Sequence, residues 1–191
     1  MIPLAEMLSG LYGAWRLVRL DPGGMRYFND TVDGFWRSFY AAALVAPLVI
    51  AMLAVQYSNI ALATPVWRIV SIEAVKYVML WVAFPMVMVG LARALQRTEK
   101  YIPYIVAYNW ATVWQNLVFV PVLIVLETGV VTGGPADAIR YGAMAAVLAY
   151  IWVVTRIALG VGSGVAAMLV VVDLALSYAI NVIGAVLIQL G

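Results

Sequence analysis

The chain has 191 residues, 66% of them apolar and 10% charged, with a formal net charge of +2. Soluble domains are nearer half apolar and a quarter charged, so an ordinary soluble fold is excluded, and the scarcity of charge excludes a disordered chain. What remains is an integral membrane protein. There is no Cys and no His, which removes disulfides, thiolate and imidazole metal sites, iron–sulfur clusters and cysteine or histidine catalysis. No cofactor is expected, and the small net charge argues against nucleic acid as a partner. Nine of the eleven basic residues are Arg, a bias found in GC-rich bacterial genomes.

The expected fold is all-α, a polytopic membrane helix bundle of five transmembrane helices behind an N-terminal amphipathic segment. Residues 1–35 form that segment. Leu4, Met7, Leu8, Leu11, Trp15 and Val18 recur at helical spacing, with Glu6, Ser9, Arg16 and Arg19 largely opposite. Asp21-Pro22-Gly23-Gly24 ends the helix with strong turn chemistry, and a short stretch from Met25 to Asp33 follows. Two placements suit this helix: in the membrane interface, or against the bundle's own loops. A secretory signal peptide is not expected, because the basic residues follow the apolar stretch.

Residues 36–191 make up the membrane domain. Five apolar stretches, near 36–56, 69–92, 102–126, 138–159 and 165–190, each match the ~20 helical residues needed to cross the hydrocarbon core. Thr64-Pro65, Arg97 to Lys100, Thr132 to Asp137 and Gly160 to Gly164 separate them. The last separator is the least marked, since apolar sequence resumes on both sides. Arg16, Arg19, Arg26, Arg37, Arg93, Arg97, Lys100 and Arg156 fall to one side of such a bundle, and only Arg68 and Arg140 to the other. By the positive-inside rule the N-terminus is cytoplasmic and the C-terminus outside, in a membrane expected to be the bacterial inner membrane. Trp36, Tyr40, Tyr57, Trp67, Tyr101, Tyr104 and Tyr141 lie near the expected span ends, where amphipathic rings favour the interface.

Polar groups within a span cost free energy, so each needs a partner or a task. In the fifth span Asp173, Ser177 and Asn181 follow an i, i+4, i+8 spacing that suggests one stripe. Asp173 lies roughly 13 Å from the cytoplasmic end, at 1.5 Å per residue. The stripe suits a proton or ion relay, or a seam of interhelical hydrogen bonds. Asn109, Thr112 and Asn116 give the third span a similar i, i+3, i+7 stripe, with Gln115 beside it. This stripe reads as packing or as a channel lining. Glu73 and Lys76 stand one turn apart in the second span, close enough to its outer end to neutralise each other and snorkel outward.

Pro47, Pro85 and Pro121 lie inside spans, as kinks or as helix breaks of the kind transporters use. Gly142 with Ala146, and Gly90 with Ala94, suggest close helix contacts. Gly160, Gly162 and Gly164 lack the third spaced glycine and the preceding strand of a nucleotide-binding turn. No nucleophile with a base can be nominated, and no enzyme is expected.

Asp21-Pro22 ahead of the first span, a short basic loop from Arg93 to Lys100, and a third span with Tyr104, Tyr108 and Pro121 together resemble the Yip1 family of small five-span membrane proteins, in layout over residues 17–190. That resemblance implies a non-enzymatic protein acting through partners within the bilayer; eukaryotic members assist vesicle traffic. The leading expectation is therefore a scaffold or accessory subunit whose partners are the lipid bilayer and other membrane proteins or further copies of itself. The alternative is a small transporter or ion-coupled channel built around the polar stripe of the fifth span.

Overall fold

The structure, a computed structural model, describes residues 3–58 and 64–190. Among them it is helical throughout, with no strand. Helix α1 (Leu4–Val18) is followed by a 3-10 segment (Pro22–Tyr27), α2 (Val32–Ser38), α3 (Tyr40–Ser58) and α4 (Val66–Ala94). A 3-10 turn (Thr98–Lys100) leads into α5 (Tyr101–Glu127), α6 (Gly134–Leu159) and α7 (Ser163–Gln189). Five helical stretches are long and apolar enough to cross a membrane, α2 and α3 together forming the first. The chain is an all-α, five-span integral membrane protein.

The first span begins four residues earlier than the apolar run suggests. Thr31 caps it, its Oγ1 accepting from the Gly34 N–H at 3.1 Å, and Asp33 adds a favourable negative charge in the first turn. The weakly marked separator is a true break. Gly160 takes φ +63° at the end of α6, a left-handed conformation that glycine adopts without penalty. Helix α7 restarts at Ser163.

Helix α5 is central. It packs on α3 and α6 and carries α1 and α2, while α7 packs on α4 and α6. Consecutive α3 and α4 barely touch. Gly90 and Gly142, expected to mark close contacts, have no atom of another helix near them. Between long helices the close approaches are made instead by Gly10 on Trp110 of α5 and Gly184 on Lys76 of α4, while Gly13 and Gly24 meet each other and Gly34 meets the Asn29 loop.

The N-terminal helix lies across the spans α5 and α6, rather than on loops. Its Leu11 carbonyl accepts from Trp114 Nε1 at 2.9 Å and its Ala14 carbonyl from Tyr150 Oη at 2.8 Å. The face it buries is a small one, Gly10, Gly13, Ala14 and Leu17. A Cβ on Gly10 would stand 2.6 Å from the Trp110 indole, so only glycine lets the two meet. The larger Leu4, Leu8, Tyr12, Trp15 and Val18 stay exposed. The 3-10 segment doubles back along α1, pinned by Ser9 Oγ on the Tyr27 carbonyl at 2.7 Å. At the tip Arg16 pairs with Asp21. This guanidinium, with help from the Gly23 N–H, holds the Asp21 carboxyl below its usual range, and Arg16 is raised in turn. At the base Glu6 accepts from Asn29 at 2.8 Å and from Arg37 at 2.9 Å.

Candidate functional site

The polar stripes of α5 and α7 meet in one place. Asp173 Oδ2 accepts a hydrogen bond from Tyr108 Oη at 2.9 Å, joining the two helices. Around this bond lies a cavity of about 290 Å³. Its polar lining is Tyr108, Thr112, Gln115 and Asn116 from α5 and Asp173 and Ser177 from α7, with Tyr77 of α4 at its edge toward α3. Its apolar wall comes from α3 (Val45, Val49), α4 (Leu80, Trp81) and α6 (Val147, Leu148, Ile151). All of these lie near the middle of their helices, so the cavity occupies the depth where polar groups are hardest to satisfy.

Most of the lining polar groups leave a bonding position open. Thr112 Oγ1 donates to the Tyr108 carbonyl at 2.9 Å, and Asn116 Nδ2 to the Thr112 carbonyl at 2.8 Å. Both bonds run back into their own helix, which frees the Thr112 hydroxyl oxygen and the Asn116 amide oxygen as acceptors toward the cavity. Gln115 Nε2 is buried with no partner. None of the three ion pairs among the described residues involves Asp173. One unpaired carboxyl, a phenol, two amides and two hydroxyls therefore converge, a set suited to a proton, a monovalent cation or a small polar molecule. No group of three or more acidic side chains able to hold a metal occurs among the described residues.

Two residues named from sequence do not belong here. Asn181 is exposed and donates to the Ser177 carbonyl of its own helix at 2.8 Å. At 3.6 residues per turn, eight residues overshoot two turns by roughly 80°, and on α7 this drift carries Asn181 out of the lining, whereas the equally spaced Asn116 of α5 stays within it. Asn109 leaves its stripe in the other direction. It is fully buried against α2, with Nδ2 donating to Ser38 Oγ at 2.8 Å. Tyr108, which sequence alone does not place in the site, precedes Thr112 by four residues and Asn116 by eight. A stripe begun at the tyrosine rather than at Asn109 describes the cavity wall.

Glu73 and Lys76 form their pair, with Nζ 2.6 Å from each carboxylate oxygen. The expected outward snorkelling does not occur. Glu73 is 7% exposed, takes a further bond from Tyr57 Oη of α3 at 3.0 Å, and the Lys76 stem lies over Gly184 of α7. The glycine leaves room for that stem, so the ammonium is held inward against its partner. Neither group reaches Asp173. Arg156 also turns elsewhere, stacking over Trp152 with its guanidinium carbon 4.7 Å from the ring centroid.

Comparison with known protein families, curated proteins and solved structures finds no match to this chain.

Proposed function

We propose that the protein is a small ion-coupled carrier or channel, with Asp173 as the group that binds the translocated proton, cation or polar solute. One observation supports this reading above others: six polar side chains from two helices line a single cavity near the middle of all five spans. Carriers place their sites at that depth, between helices that can move against one another. A purely structural seam would pair all the groups with each other; here Tyr108 and Asp173 do so, while Thr112 and Asn116 bond back into α5 and Gln115 Nε2 has no partner. The lysine and arginine distribution orients this carrier with a cytoplasmic N-terminus, in keeping with the bacterial inner membrane.

The test uses the absence of cysteine. In a Ser177→Cys variant, a water-soluble thiol reagent applied from one side should react, while Asn181→Cys on the lipid face should not. In proteoliposomes, Asp173→Asn should lower proton or monovalent-cation flux by about tenfold or more, since a buried polar group left without its charge loses most of its differential binding. Unchanged flux overturns the reading.

A scaffold, the reading the Yip1-like layout implies, has one observation in its favour. Gly142, Ala145, Ala146 and Ala149 are exposed and fall on one face of α6, the small-residue spacing by which membrane helices associate. Unchanged flux together with a stable homodimer in mild detergent favours this second reading.

A further inference from the structure

Next to the polar cavity, α3 and α4 stand apart and leave a groove of about 540 Å³. Val49 and Ile50 of α3 and Ile69, Val70 and Ala74 of α4 are among its walls, and Glu73 is the only charged lining residue among the described residues. Two tyrosine hydroxyls bridge the walls, meeting α4 only one turn apart, at Glu73 and Tyr77. Tyr57 donates to Glu73 at 3.0 Å, and Tyr77, on the side of the polar cavity, to the Ala42 carbonyl at 2.6 Å. From Glu73 to Val66 no further hydrogen bond joins the two helices among the described residues. Val49 and Tyr77 line both the groove and the cavity, so the two spaces adjoin.

We propose that groove and cavity form one amphipathic site for a single-chain alkylammonium molecule dissolved in the bilayer, its chain lying between α3 and α4 and its cationic head against Asp173. This site rests on the carrier reading and gives that carrier its substrate class. The chemistry of each half selects the occupant. The groove offers a hydrocarbon chain a mainly apolar wall over about 12–16 Å, from Val49 and Tyr77 to Tyr57 and Val66, at 1.5 Å per residue, with the buried Glu73 carboxylate already bonded to Lys76 and Tyr57. The cavity offers a carboxylate with no basic partner, beside the Tyr108 and Trp81 rings that favour cations. An anionic head finds no positive group there, because Lys76 is committed to Glu73. A head without a chain leaves the groove to be filled by unrelated lipid.

A dodecyltrimethylammonium probe carrying a photoreactive diazirine at the chain end tests this in phosphatidylcholine nanodiscs. Labelling should be saturable and concentrated on residues 46–57 and 66–77. Unlabelled dodecyltrimethylammonium should compete, and an uncharged dodecyl glycoside should not. Asp173→Asn should reduce saturable labelling by about tenfold or more. Ala74→Trp or Ala54→Trp should reduce it similarly by filling the groove; both positions are exposed, so the added ring loads no core. Labelling spread evenly over lipid-facing helices, unaltered by these variants, or matched at the same residues by a diazirine phosphatidylcholine overturns the proposal. Those failures leave Asp173-dependent flux of small cations untouched. Loss of that flux result alone, with groove labelling intact, removes the carrier reading and leaves a binding site.

Discussion

Helices α5 and α7 have the same length, 27 residues each, and opposite relations to the rest of the molecule. Ten residues of α5 are buried, against five of α7. Yet α7 is the more uniformly apolar of the two, while α5 carries Asn109, Thr112, Gln115 and Asn116. In water the oilier helix would be the buried one. In a bilayer the solvent is itself apolar, so hydrocarbon side chains gain nothing by leaving it, and protein contact goes to the helix with polar groups and small residues to satisfy. Packing holds α5, whereas α7, packed on α4 and α6, is further tied near its C-terminal end from the α4 side: Thr64 Oγ1 donates to the Ile188 carbonyl at 2.7 Å, Arg68 to the Leu187 carbonyl at 3.1 Å, and the apolar Lys76 stem lies on Gly184.

If α5 is held by packing, removing one of its buried rings should cost the most. Tyr104 is fully buried, with Phe84 and Tyr108 around it and its hydroxyl 3.2 Å from Thr155. Tyr104→Ala should destabilise the protein by about 4 kcal/mol, the scale for deleting a large aromatic side chain from a closed core. Denaturant titration in mixed micelles measures this. A loss below about 1 kcal/mol would mean that lipid or neighbouring rings fill the space, and that α5 is no more a core helix than α7.

The attachment of α7 predicts a different signature. Lys76→Met keeps the stem over Gly184 and removes only the ammonium, leaving the Glu73 carboxyl buried with Tyr57 alone. A loss of about 3 kcal/mol should follow, mostly recovered when Glu73→Gln is added, because an isolated buried charge costs more than a neutral pair. Equal losses in the single and double variants would show that contact with α7, not charge, is at stake.

The five spans were legible because an uninterrupted run of ~20 apolar residues suits a bilayer crossing and little else in a folded chain. The polar residues of α5 and α7 stood out because each is costly in hydrocarbon, and Asp173, Ser177, Thr112 and Asn116 do meet in the cavity. Their meeting was not legible, since it depends on how α5 is rotated against α7. The partner of Asp173 is Tyr108, which the polar stripe begun at Asn109 leaves out, and its neighbour Tyr104, expected at the interface, is fully buried. The small face of α1 was hidden for a related reason: apolar periodicity marks the side that avoids water, and in a membrane protein that side need not touch protein. Depth misled in the case of Glu73 and Lys76. Counted from the span end they had a route to the interface, but the tyrosine on α3 and the glycine on α7 that keep them inside belong to other helices.

The smallest expected effect sharpens the contrast within α7 itself. Asp173 and Asn181 are both polar, both in one helix, and only one faces the cavity. The Asn181 amide already spends its donor on the Ser177 carbonyl, so Asn181→Leu removes a bond internal to the helix and adds apolar surface where lipid already lies. Stability should change by less than about 0.5 kcal/mol, as for other exposed substitutions. Flux should match the parent protein while Asp173→Asn loses it. If Asn181→Leu instead lowers flux, the translocation path follows the drifting stripe around α7 and leaves the bundle interior. The lipid-facing side of this helix would then be where the solute travels.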